Sequence, residues 1–332
     1  MRKKTFLFIA KLGIVVAIFA YLVHRATKGS AFRDLDARSI DWLYLLLGFA
    51  FNLLATAATL VRWRALVEAL GSKLPLSEAL RYGFIGLLFN LSPLGIAGGD
   101  AVKAGLLVKN KRAPLDKALA GVVMDRVVGL YAMFVLGLIV VFATGFYANR
   151  SPVAQIATRG LVATTIATSV FLGIALTPSS KRNLRLTVAA ATPLIGGALK
   201  KLTASTLIYS ARKTVLFVSF LATLAIHSFF AVSLYFIARG LYGAVPSLVD
   251  HLSIYCVGNL GSIVPLSAGP FEYLVDELYP LFAVVGGEPF DLGRGSVVGF
   301  AYRIAAALVS LVGMFAYRSS RSDVKEALNG ND

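Results

Sequence analysis

Two stretches decide how this sequence is read. They are NLSPLGIAGGD, from Asn90 to Asp100, and SIVPLSAGPFE, from Ser262 to Glu272. Each interrupts an apolar run, Leu80–Leu107 in one case and Leu252–Tyr279 in the other. Pro removes a backbone donor and clashes with a continuing helix. Gly admits backbone angles that other residues avoid. Each run is therefore expected to fold as a half-helix, a bend and a second half-helix. The expected bend residues are Pro93, Gly98 and Gly99 in the first, and Pro265 and Gly269 in the second. At membrane depth such bends survive only when buried in protein or lining a wet cavity.

The surrounding chain supplies the membrane. Of 332 residues, 57% are hydrophobic and 15% charged, with a mean hydropathy of +0.75. Soluble proteins carry about 25% charged residues, so a soluble enzyme, a disordered tail and a secreted disulfide scaffold are all excluded. A bilayer core of about 30 Å needs about 20 apolar residues per helix. Six stretches meet that length: Thr5–Val23, Trp42–Val61, Ala118–Tyr147, Thr158–Thr177, Thr214–Ala238 and Ser296–Tyr317. The first has no A-x-A site after it and reads as a retained span rather than a signal peptide.

The single cysteine, Cys256, excludes an intrachain disulfide. His24, His227 and His251 are too far apart for metal-ligand spacing, so neither metal nor cofactor is expected. The net charge of +16, from 33 Lys and Arg against 17 Asp and Glu, comes without any nucleic-acid motif. It is read as topology and anionic-lipid contact, with no nucleic-acid partner. Placing the N-terminus inside puts 22 Lys and Arg on the cytoplasmic segments and 8 on the outer ones. The positive-inside rule then predicts an N-in, C-in chain. The loop Lys181–Lys213 is either a plain linker or an interfacial helix on anionic lipid.

The two broken runs align at an offset of 172 residues. Gly86 falls on Gly258, Leu88 on Leu260, Pro93 on Pro265, Leu94 on Leu266 and Asp100 on Glu272. The span that follows each carries one arginine, Arg126 or Arg303. The expected unit is span, span, broken hairpin, span, present twice. Three full spans per unit is odd, so the second copy inserts upside down, as in many secondary transporters. The fold class is thus an all-α polytopic membrane protein, six spans plus two re-entrant hairpins in an inverted repeat. It forms one transmembrane domain: repeat one over 1–150, repeat two over 151–320, and a short cytoplasmic tail over 321–332.

A charge at the bilayer centre costs at least about 2.5–3.5 kcal/mol, so such groups pair or line a polar cavity. Asp100, Glu272, Arg126 and Arg303 have two readings. They are structural ion pairs pinning each hairpin, or the arginines hold an anionic headgroup while the carboxylates tune them. Arg suits phosphate because its planar fork donates two hydrogen bonds. Asp125 is either a local partner of Arg126 or the edge of its span. Arg62 and Arg64 end a span and are expected to anchor to headgroups. His227 is a packing histidine or a proton relay. Asn90 and Asn259 are expected to bond carbonyls freed at the bends rather than a ligand.

FNLSPLGIAGGDAVKAGLL, at 89–107, resembles the first motif of the flippase-like membrane family related to the transmembrane domain of lysylphosphatidylglycerol synthase. In that family a Pro and a Gly pair precede an acidic and then a basic residue, here Pro93, Gly98, Gly99, Asp100 and Lys103. VPLSAGPFE, at 264–272, resembles the second motif, with Gly269–Pro270 where a Gly pair is usual. Asp125–Arg126 resembles the family's acidic-basic pair at the start of the next span. The resemblance implies a polytopic lipid translocator, or a membrane module serving lipid and glycan biosynthesis. Some relatives carry an aminoacyl transferase domain after the spans. Here the last span ends near Tyr317, and the synthase activity is not carried over.

No P-loop, H-E-x-x-H or G-x-S-x-G motif is present, so the chain is not expected to be an enzyme. The resulting expectation is an inner-membrane, multi-pass lipid translocator. Its cargo would be an anionic phospholipid or an isoprenoid-linked lipid. Its cavity would lie between the two hairpins. The alternatives are a scaffold that docks a lipid or glycan biosynthesis enzyme through the 181–213 loop, and a lipid-modifying transferase with a carboxylate base.

Overall fold

A computed structural model describes residues 2–29, 31–36, 40–91, 95–176, 209–263, 268–284, 290 and 292–329. Among these every regular element is a helix. In chain order they are α1 (Arg2–Lys28), α2 (Ala31–Asp36), α3 (Trp42–Ala69), α4 (Leu76–Asn90) and α5 (Gly95–Lys109). There follow α6 (Leu115–Ala143), α7 (Pro152–Ala175), α8 (Lys213–Tyr242), α9 (Leu248–Gly258) and α10 (Pro270–Leu278). The chain ends with α11 (Arg294–Leu311), α12 (Gly313–Arg318) and α13 (Arg321–Asn329).

Five stretches are long and apolar enough to cross a membrane: α3, α6, α7, α8 and the run Arg294–Arg318 through α11 and α12. They correspond to five of the six expected spans. The sixth falls on α1, where the side chains of residues 1–12 lie outside the described residues. The long helices bury little of themselves. Only 17% of the most apolar window of Pro152–Gly173 is buried, and Trp42, Ile156 and Phe315 are each more than 70% exposed. Exposed apolar surface on that scale is unsuited to water and suited to lipid. The protein is a multi-pass membrane protein.

The chain divides into two compact units, and the boundary falls inside all five long stretches. One comprises Ala55–Met133, Thr164–Ile226 and Ala307–Asp332, and holds α4 and α5. The other comprises Met1–Leu54, Phe134–Ala163 and His227–Ala306, and holds α9 and α10. Each unit gathers pieces from both sequence halves, 1–150 and 151–320.

The unit of the first hairpin is built on a core in which Trp63, Tyr82, Ile85, Leu106 and Leu107 are almost fully buried. α4 and α5 pack antiparallel at very short range. A Cβ on Gly99 would overlap the Asn90 Oδ1 and the Gly86 carbonyl oxygen. α12 closes on α4, where a Cβ on Gly313 would overlap the Phe84 carbonyl, and α13 inserts Val324 into the core. Lys109 ties α13 down through Asp323 at 2.8 Å and Glu326 at 2.9 Å.

In the unit of the second hairpin, α9 starts on a reciprocal cap. Ser247 Oγ accepts from the Asp250 amide, and Asp250 Oδ2 accepts from the Ser247 amide. α10 starts at Gly269, whose φ of +106° suits only glycine, followed by Pro270 at the first helical position. α11 receives its cap from α10: Asp276 Oδ1 accepts the amides of Gly293 at 2.7 Å and Ser296 at 2.9 Å. That carboxylate satisfies donors that a helix start leaves open.

Candidate functional site

Each hairpin crosses on a glycine. In the first, a Cβ on Gly86 would meet Lys103 and the carbonyl of Gly99. In the second, a Cβ on Gly258 would meet Val275 and Phe271. All three pairs of positions are 172 residues apart. Pro93 and Pro265 lie outside the described residues. Gly269 stands immediately before α10 with a positive φ.

The placement of Gly98 and Gly99 at the bend is corrected. α5 begins at Gly95, so both glycines lie inside it. Their neighbourhood explains them better as contact residues: with no side chain at Gly99, α5 can lie against Asn90 and the backbone of α4. Asn90 Oδ1, an acceptor, is buried there without a hydrogen-bond partner. Asn259 Nδ2 does donate to a carbonyl, that of Tyr255, at 2.9 Å.

Immediately after Gly99, Asp100 receives a two-pronged grip from Arg126 on α6. Arg126 Nε donates to Oδ2 at 3.0 Å and Nη2 to Oδ1 at 2.7 Å. A second cation joins from one turn along α5, with Lys103 Nζ 3.1 Å from Asp100 Oδ1. Lys103 also lies 5.4 Å from the centre of the Trp63 ring. The three side chains differ in exposure: 41% for Arg126, 18% for Asp100 and 8% for Lys103.

Asp125 faces elsewhere. Successive residues on a helix point about 100° apart, and Asp125 pairs with Arg62 of α3 rather than with Arg126. Arg62 Nη2 lies 2.8 Å from Asp125 Oδ1, and Arg62 Nη1 donates to Thr223 Oγ1 at 2.8 Å. Both charged residues are buried. The expectation that Arg62 anchors to headgroups is therefore corrected. A guanidinium with three internal acceptors, shielded by α6 and α8, does not reach the surface. Sequence reasoning missed this pair because its members are 63 positions apart. The available signal was that an Asp-Arg pair on adjacent helix positions needs two separate partners.

The second unit repeats the acid and base with other surroundings. Glu272 is fully buried, accepts the Gly269 amide at 2.8 Å and pairs with Arg303 of α11. Gly299 makes room for it; a Cβ there would lie 3.2 Å from Glu272 Cα. The Arg303 side chain is 42% exposed and its guanidinium lies 5.7 Å from the centre of the Phe271 ring. Deeper in, Arg25 of α1 reaches Glu277 at 2.6 Å and Asp276 at 3.5 Å. His227 Nδ1 lies 3.2 Å from Tyr255 Oη, inside an aromatic group with Phe230.

Each unit therefore presents one half-exposed arginine held by a more buried carboxylate at a glycine-built hairpin. The family model described as the lysylphosphatidylglycerol synthase TM region matches residues 8–313. The chain belongs to this family. The chain is also similar to the UPF0104 membrane protein MJ1595 of Methanocaldococcus jannaschii, 29% identical over 109 residues. That match covers 31% of this chain and 32% of the relative, about a third of its length.

Proposed function

We propose that this protein is a non-enzymatic lipid translocator of the cell's inner membrane. Its cargo is an anionic phospholipid or a polyprenyl-linked lipid carrying a phosphate. Arg126 and Arg303 engage the headgroup, each within its own unit, while Asp100 and Glu272 hold the arginines between encounters. The family's description, naming the membrane region of a lipid synthase, agrees with a lipid-handling role.

One observation carries the reading. Both arginines are about two-fifths exposed although each is paired with a carboxylate at a hairpin. An exposed guanidinium can trade a carboxylate for a phosphate with little new desolvation, because both accept the same fork of donors. The Arg62–Asp125 pair, by contrast, is buried on both sides.

The test is translocation in proteoliposomes, with fluorescent phosphatidylglycerol and a polyprenyl phosphate followed by an outer-leaflet quencher. Wild-type protein is expected to move at least one of them. Glu272→Gln and Arg126→Gln should each slow it by ~10-fold or more, about 1.4 kcal/mol of lost interaction. Unchanged rates in both folded variants would remove these pairs from the path.

A further inference from the structure

The two acid-base pairs are not equivalent in charge. Among the described residues, the charged side chains in mutual contact around the first hairpin are Arg62, Lys103, Arg126, Asp100 and Asp125. Arg62 and Asp125 neutralise one another in a buried pair. That leaves two cations, Arg126 and Lys103, on the single carboxylate of Asp100. The stretch 177–208, outside the described residues of this unit, cannot supply a further carboxylate. No Asp or Glu occurs anywhere between Arg126 and Val249. Around the second hairpin, among the described residues, Glu272 and Arg303 match one for one, while Asp276 and Glu277 share the single cation of Arg25.

We propose that the first-hairpin cluster is a binding site for one phosphodiester monoanion, with Lys103 as the residue that sets its charge preference. The proposal rests on the translocator reading and names the ligand chemistry of its first station. Arg126 is the exchangeable member, since it alone of the three cations is substantially exposed: 41%, against 8% for Lys103 and 5% for Arg62. When Arg126 turns its fork to a phosphate, Lys103 remains 3.1 Å from Asp100 and keeps that carboxylate neutralised. The exchange strands no buried charge. One added negative charge brings the cluster to neutrality. A zwitterionic headgroup, which brings its own cation, does not. Lys103 is kept in place by the Trp63 ring and by Gly86, whose missing side chain leaves room for the lysine stem. It acts through Asp100 and the field it creates, so it is a specificity-determining residue rather than one that grips the ligand.

The experiment counts charges. Purified full-length protein in detergent is titrated with dihexanoyl phosphatidylglycerol, dihexanoyl phosphatidylcholine and inorganic phosphate. Wild type should prefer phosphatidylglycerol to phosphatidylcholine by ~10-fold or more. Lys103→Arg keeps the surplus charge and should keep the preference. Lys103→Met removes it and should bring the ratio close to one. Lys103→Met combined with Asp100→Asn restores a single surplus cation and should recover the preference, which a merely structural lysine would not allow. Thermal unfolding and elution volume check that each variant is folded.

A wild-type preference surviving in folded Lys103→Met, or no recovery in a folded double variant, would overturn the proposal. Displacement of phosphatidylglycerol by equimolar inorganic phosphate would overturn its lipid source. Translocation without charge preference sinks this inference alone. Charge preference without translocation sinks the translocator reading and leaves the anion site.

Discussion

The first and second hairpins are built on the same crossing and use it differently. Gly86 and Gly258 occupy equivalent places, and each is followed at the same offset by a carboxylate. Asp100 then shares two cations and keeps 18% of its side chain exposed, whereas Glu272 is fully buried against Arg303 and the amide that starts its own helix. The divergence arises in the connection. α5 and α6 are joined by residues 110–114, but α10 and α11 are separated by 279–293. Carrying Arg126 across by the repeat offset lands on Val298, which is fully buried, and not on Arg303. The glycine contacts keep the 172-residue register, and the two arginines do not.

That contrast predicts an order of stability losses, measured as shifts in thermal unfolding in detergent. The largest should follow Arg62→Met, which strands Asp125 in a buried site; breaking such a pair costs ~3–5 kcal/mol. Arg303→Met should cost ~2 kcal/mol, because Glu272 keeps the Gly269 amide but loses its paired guanidinium. Arg126→Met should cost under ~1 kcal/mol, since Lys103 still neutralises Asp100 and an exposed pair contributes little. Equal losses in the last two variants would erase the proposed difference between the hairpins.

The glycines sharpen the comparison at the next level down. Gly99→Ala should destabilise by ~1–3 kcal/mol, because the new methyl meets backbone and an amide oxygen that cannot step aside. Gly258→Ala should cost under ~1.5 kcal/mol, with its nearest neighbour a Val275 methyl at 3.0 Å. The same residues show what was legible in the sequence. Five of the expected apolar helices were legible, because long apolar runs are local signals that fix local structure. The acid-base partners Asp100–Arg126 and Glu272–Arg303 were legible because few charges occur in apolar runs. Arg62–Asp125 and the Asp276 cap on α11 were not, since each depends on which face of one helix meets another far along the chain. Gly98 and Gly99 read as bend residues because periodicity cannot tell a glycine that turns the chain from one that admits a neighbouring helix.

The smallest expected effect lies at the C-terminal helix, which the first hairpin has and the second lacks among the described residues. Lys109 holds Asp323 and Glu326, and these hydrogen bonds raise its pKa above the usual 10.5. A raised pKa means the pairing contributes fully below the unfolded value and is lost as pH climbs through the folded one. Docking of α13 should therefore be constant from neutral pH to about 10 and loosen above 10.5. A nitroxide label on Ser322→Cys reads this directly, since Cys256 is buried and Ser322 is exposed. Its spectrum should sharpen above pH 10.5, and Lys109→Ala should produce the same sharpening at pH 8. Val324 stays in the core in either case, so the helix should loosen rather than leave. A label that is already mobile at pH 8 in the wild type would show that the two ion pairs do not hold α13. The first hairpin would then be as open on that side as the second.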